Sequence, residues 1–133
     1  MKKYFFIFFV FAMSLNAAVY AQNAKTAPED FNVFFKKFNE DQKFQISRVI
    51  FPLKYKMNND DFELADYTMP KENYKSLNLN RKSDEKYLKR ALVVKKNKVT
   101  LQERGIDSGI YIDYIFELKD NKWFLKTWVD QST

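Results

Sequence analysis

The sequence contains neither cysteine nor histidine. Without cysteine there is no disulfide framework, no thiol nucleophile and no N-terminal cysteine for a lipid anchor, so stability must come from packing. Without histidine the chain lacks imidazole-based nucleophile systems, His-ligated zinc and a base titrating near neutrality. Acid-base chemistry would rest on Asp, Glu, Lys or Tyr. No catalytic or metal-binding motif is recognisable and none calls for a cofactor, so the sequence leans away from an enzyme. Glycine is nearly as scarce, and Gly105 and Gly109 bracket a single loop. Only Arg48, Arg81, Arg90 and Arg104 are arginines among 23 basic residues. Phosphate and nucleic-acid sites favour the forked guanidinium, so the lysine-rich excess reads as solubility rather than nucleic-acid binding.

Long apolar runs are missing too, with one exception. Tyr4 to Met13 is unbroken apolar sequence behind Lys2 and Lys3, and Val19-Tyr20-Ala21 places small or slim residues at cleavage positions, the pattern of an export signal. The run falls well short of the ~20 residues that span a bilayer, and Ser14 and Asn16 break the apolar character beyond Met13. Cleavage after Ala21 would leave a released chain beginning at Gln22, with no integral membrane segment. The expected organisation is a signal over 1–21, a tether over 22–27 and a single domain over 28–133. The leader removes five phenylalanines and leaves nine, with six tyrosines and both tryptophans, a large aromatic payload for one core. Removing Lys2 and Lys3 lowers the formal charge from +6 to +4.

Thr26-Ala27-Pro28-Glu29 has capping-box spacing, and Phe31, Phe34, Phe35 and Phe38 recur at helical intervals, which predicts a helix entered at Pro28 that covers the core. From Phe44 to Met57, β-branched and aromatic residues predict a strand, placed at an edge or bulged near Pro52, which cannot donate to a ladder. Asn58-Asn59-Asp60-Asp61 reads as a turn, and it lacks the glycine and ligand spacing of a calcium loop. Phe62 to Thr68 suits a short strand, and Pro70 a short helix carrying Tyr74 and Leu77.

The C-terminal half holds two hairpins. A turn at Lys96-Asn97 places Val94 opposite Val99, Leu92 opposite Leu101 and Arg90 opposite Glu103, the last a cross-strand ion pair of ~0.2 to 1 kcal/mol. A turn at Asp120-Asn121 sets Leu118, Phe116, Tyr114 and Ile112 against Trp123, Leu125, Thr127 and Val129 as the core face. The other face would then hold Tyr111, Asp113, Ile115, Phe124, Lys126 and Trp128, with Asp113 opposite Trp128 and Tyr111 opposite Asp130. That is too apolar for a solvated surface, so a second subunit, a ligand or another part of the chain should cover it.

The order of elements is that of an α+β cone. Phe31-x-x-Phe34-Phe35-x-x-Phe38, the run Phe44-Gln45-Ile46-Ser47-Arg48-Val49-Ile50-Phe51-Pro52-Leu53, and Lys122-Trp123-Phe124-Leu125 together resemble the exported bacterial family catalogued as domain of unknown function 4348, one of the NTF2-like (nuclear transport factor 2-like) folds. The resemblance implies an N-terminal helix packed on a curved antiparallel sheet in a protein of the Gram-negative envelope, periplasmic or secreted. It transfers no catalytic residue.

Arg48 is the sharpest single candidate, because an arginine in an apolar strand demands a partner, either an anionic ligand or an internal carboxylate such as Asp113 or one on the helix. Arg48, Tyr111, Asp113, Phe124 and Trp128 form the candidate pocket or interface. Asp113 beside Trp128 is also the one candidate for a general base. Arg81 to Lys98 carries eight basic and two acidic residues, which suits an anionic envelope glycan or simply guards a strand edge. The sequence thus leads to a non-enzymatic binding or interaction module, with a homodimer burying the mixed face and an Asp-based enzyme as alternatives. The intact mass of the exported protein should start at Gln22; a mass that includes Met1 to Ala21 would overturn the export reading.

Overall fold

The computed structural model describes residues 26–80 and 86–133. The leader, the start of the tether and Arg81 to Glu85 of the basic block lie outside the described residues. Helix α1 (Phe31–Glu40) and helix α2 (Gln42–Ser47) pack on one six-stranded sheet. The fold is α+β, as the sequence predicts.

α1 starts at Phe31 rather than Pro28, because the Asp30 side chain, not Thr26, accepts from the Val33 N–H and caps the first turn. Glu29, freed from that turn, reaches the sheet instead. Asp41 serves both helices: its N–H donates to the Lys37 carbonyl at 2.9 Å, and its carboxylate accepts from the Phe44 N–H at 2.9 Å. That double cap bends the chain sharply and corrects the sequence reading, since Phe44 to Ser47 is helix and not strand. The aromatic stripe behaves as expected. Phe31, Phe34, Phe35 and Phe38 set their rings 5.5, 5.8, 6.0 and 5.5 Å from that of Phe116, edge to face.

Strands β1 (Val49–Asn58), β2 (Leu64–Met69), β3 (Leu88–Lys95), β4 (Lys98–Gly105), β5 (Tyr111–Lys119) and β6 (Lys122–Asp130) lie in the order β2-β1-β6-β5-β4-β3. The sheet is mixed and not wholly antiparallel, because β1 runs parallel to β6. β1 is therefore an inner strand rather than an edge. The expected bulge is present: Val49 pairs with Leu125 and pairing resumes only at Lys54 with Thr127, around a cis Phe51–Pro52 bond. β2 lies close to its predicted span, and Pro70 opens a single 3-10 turn, Lys71–Asn73, followed by Tyr74 and Leu77.

The β3–β4 hairpin has the predicted register, Val94 with Val99, Leu92 with Leu101 and Arg90 with Glu103. The last of these pairs is not on the surface. Glu103 is 0% exposed and meets Arg90 at 2.6 Å, so breaking the pair would strand a buried charge and cost far more than an exposed pair is worth.

In the β5–β6 hairpin Asp120 and Asn121 adopt the positive φ of a tight turn, and Leu118 and Phe116 meet Trp123 and Leu125 as expected. Lys126 then bulges, which shifts the partners of Ile115, Tyr114, Asp113 and Ile112 to Thr127, Trp128, Val129 and Asp130. Beyond the bulge every β6 side chain changes face. Trp128 joins the core side beside Tyr114, and Thr127 and Val129 leave it.

The irregular segment 70–79 is held by two amide side chains. Gln45, 1% exposed, donates to the Phe38 and Leu77 carbonyls at 2.7 and 2.9 Å and accepts from the Tyr74 hydroxyl and the Leu77 N–H at 2.8 and 2.7 Å. All four of its hydrogen-bonding positions are used. Asn39 adds a bond from the Leu79 N–H at 2.7 Å. Burial, followed by the neighbouring Tyr114, pushes the Tyr74 hydroxyl pKa well up, so it stays a neutral donor. Gln45→Ala should lower unfolding free energy by about 3 kcal/mol in urea and Tyr74→Phe by about 1 kcal/mol. Wild-type stability in Gln45→Leu would show that the amide clamp contributes nothing.

Candidate functional site

Arg48 is engaged inside the fold. Its guanidinium donates to both carboxylate oxygens of Glu29, at 2.7 and 3.1 Å, and to the Trp123 carbonyl at 3.1 Å, and it lies over the rings of Phe44 and Phe124 at 4.7 and 5.5 Å. The carboxylate belongs to Glu29, ahead of α1, and not to Asp113 or to the helix. Glu29 also accepts from the Trp123 N–H at 2.9 Å, and its own carbonyl accepts from the Trp123 indole at 2.8 Å. This node fastens the entry to α1 onto the start of β6. With the side chain 13% exposed and bidentately paired, Arg48 does not await an anionic ligand.

Asp113 and Tyr111 lie together on the outer face, but neither meets its expected partner. Asp113 is opposite Val129 rather than Trp128 and accepts from Arg104 Nη2 at 2.7 Å. Tyr111 pairs with Arg104 and not with Asp130, its ring 3.5 Å from the guanidinium. Asp113 is thus engaged by the Arg104 guanidinium and is not set against the Trp128 ring that the general-base reading required. Phe124 pairs with Glu117 and stays on this outer face, as expected. The five candidate residues are thus divided: Arg48 is structural, Tyr111, Asp113 and Phe124 are outside, and Trp128 is inside. Among the described residues no three carboxylates gather closely enough to hold a metal ion.

On the core-bearing face, past the area covered by α1, Trp128 begins an aromatic row. Its ring is 6.3 Å from Tyr114 and 4.9 Å from Tyr55, and Tyr55 stacks on Tyr67 at 5.4 Å with an interplanar angle of 21°. Exposure grows along the row, from buried Tyr114 through half-buried Trp128 and Tyr55 to Tyr67 at 36%. Met57, in register with Asp130 and Ala65, flanks it and is 38% exposed. Among the described residues the Trp128 indole N–H has no hydrogen-bond partner. Part-exposed rings beside an unspent N–H are the kind of surface on which a small molecule can stack. Sequence reasoning misses Tyr55 and Tyr67 because the row depends on β1 lying beside β6. The alternation Leu53, Tyr55, Met57 is the available signal.

A family model matches residues 29–131. Among solved structures, the chain is similar to an NTF2-like protein from Bacteroides fragilis (24% identity, TM-score 0.60, 80% of this chain and 48% of that one). It is also similar to a cystatin-like protein from Bacteroides caccae (23%, 0.57, 78% and 77%) and to a protein from Bacteroides uniformis (24%, 0.50, 75% and 75%). The chain belongs to the family of that model and shares the fold of these NTF2-like and cystatin-like proteins. It spans about half the length of the Bacteroides fragilis protein. No curated protein matches it. At these identities the likeness speaks for the fold, and the site has to be argued from this chain's own residues.

The Glu29–Arg48 node gives the domain a predictable acid sensitivity. Burial alone would raise the Glu29 pKa, but hydrogen bonds from Arg48 and the Trp123 N–H, with the charges of Arg48 and Lys122, outweigh it and hold the carboxyl below its ordinary value of 4.5. A depressed folded pKa contributes stability above the ordinary value and loses it as pH falls through the folded one. Glu29→Gln should therefore cost about 2 kcal/mol at pH 7, and the gap to wild type should close as pH drops below 4.5. A gap that stays constant from pH 7 to 3 in urea unfolding would contradict this assignment.

Proposed function

We propose that this chain is an exported, non-enzymatic binding domain of the family catalogued as domain of unknown function 4348, and that it takes a flat or ring-shaped small ligand against Tyr67, Tyr55 and Trp128. The half-exposed aromatic row with an unspent indole N–H carries this reading. Its rings offer stacking area at little conformational cost, and the indole supplies one directional contact. The absence of a catalytic step is supported by the chemistry of the candidates: Asp113 is held by Arg104, Arg48 by Glu29, and no imidazole or thiol exists in the sequence. Export rests on Met1 to Ala21 and would place the domain among envelope ligands.

Trp123→Phe leaves Trp128 as the only tryptophan and makes the row its own reporter. Titration with indole, cellobiose and maltotriose should give a saturable change in Trp128 emission for at least one of the three, and Tyr55→Ala should weaken it by about tenfold with the circular dichroism unchanged. No saturable change with any probe, or equal affinity in Tyr55→Ala, would refute the reading.

A further inference from the structure

A second hollow lies along β1, and two irregularities create it. β1 spends five steps between Val49 and Lys54 where β6 spends two between Leu125 and Thr127, so Ile50 to Leu53 have no register partner on β6. The bulged Lys126 interrupts β6 against β5 at the same level. The gap is a cavity of about 500 Å³ whose apolar floor is Ile50, Phe51 and Pro52, with Tyr55 at its side and Lys54, Lys56, Lys126 and the single carboxylate of Asp66 at its rim. An adjoining hollow of about 510 Å³ shares Ile50 and Phe51 and adds Lys119, Lys122 and Asp120.

The rim is asymmetric in charge. Lys56 pairs with Asp66 at 3.1 Å and Lys126 with Glu117 at 2.8 Å, both at exposed positions where such pairs are weak and readily exchanged. Among the described residues the Lys54 ammonium makes no hydrogen bond or ion pair. An apolar pocket of this size under an uncompensated ammonium complements a molecule with a hydrocarbon body and one negative end.

We propose that the β1 bulge cavity binds a small amphiphilic anion, with its chain against Ile50, Phe51 and Pro52 and its carboxylate or equivalent head at Lys54 and Lys126. The site adjoins the aromatic row, with which it shares Tyr55, while Tyr67 and Trp128 do not line it. The same chemistry is offered by a free single-chain acid and by an anionic lipid surface. The confined volume between two strands favours the free acid, since a bilayer cannot present one extracted chain without cost.

The test titrates the released chain, beginning at Gln22, with octanoate, octanol and acetate below any micellar concentration, read by amide shifts in nitrogen-15 NMR. Octanoate should shift the amides of Ile50, Lys54 and Thr127 saturably, with octanol and acetate at least about tenfold weaker. Lys54→Glu should weaken octanoate by about tenfold and leave octanol unchanged, while Tyr67→Ala, which alters only the aromatic row, should change neither. Equal binding of octanol and octanoate, shifts confined to Tyr67 and Trp128, or sedimentation with phosphatidylglycerol vesicles without octanoate binding would each overturn the proposal.

Discussion

The architecture depends on the carboxamide of Gln45. It is the point at which α1, α2 and the irregular segment after β2 exchange hydrogen bonds away from water. A buried amide has two donors and two acceptor sites, and an apolar side chain of the same size would satisfy none of the groups that converge there. The helices lie on the sheet because four phenylalanines converge on Phe116, but hydrophobic contact is non-directional and does not fix how 70–79 returns to them. Gln45 and Asn39 supply that direction.

The second constraint is the Glu29–Arg48 node, which ties the entry of α1 to the start of β6. Gln45 and Arg48 both lie in the stretch that carries the resemblance to the family. In Phe44-Gln45-x-x-Arg48-x-x-Phe51-Pro52-Leu53, Gln45 clamps the loop, Arg48 clamps Glu29, and Leu53 is fully buried. Phe51 packs on Tyr74 at 5.3 Å. The motif is thus a folding signature and not an active site, in keeping with a fold whose uses depend on what each chain mounts on it. The two proposed sites both lie along β1, the aromatic row and the lysine-rimmed gap meeting at Tyr55.

Where the structure departs from the sequence pattern, each departure has a local cause. Glu29 has the spacing of a capping box, yet Asp30 is the better-placed cap and Glu29 has a cation within reach in Arg48. Phe44 and Ile46 favour a strand by propensity, and the Asp41 cap overrides them. Strict alternation carried past Lys126 puts Trp128 on the outer face, and one extra residue reverses the face of everything after it. That slip separates Trp128 from Asp113 and dissolves the candidate site that joins them. Spacing pairs Arg90 and Glu103 correctly, but their burial is not legible, because it depends on which face of β4 turns inward.

The sequence by itself determined the α+β class, the aromatic stripe of α1, both tight hairpin turns and the β3–β4 register, because each depends on spacing within a few residues. It also determined that no thiol or imidazole chemistry is available to the chain. The tertiary structure decided the partner of Arg48, the parallel placement of β1 beside β6 and the face on which Trp128 lies. Those are contacts between residues up to 94 positions apart, as between Glu29 and Trp123, and a bulge whose effect appears only when the neighbouring strand is in place. Local pattern sets which side chains alternate, and long-range pairing sets which of them share a surface.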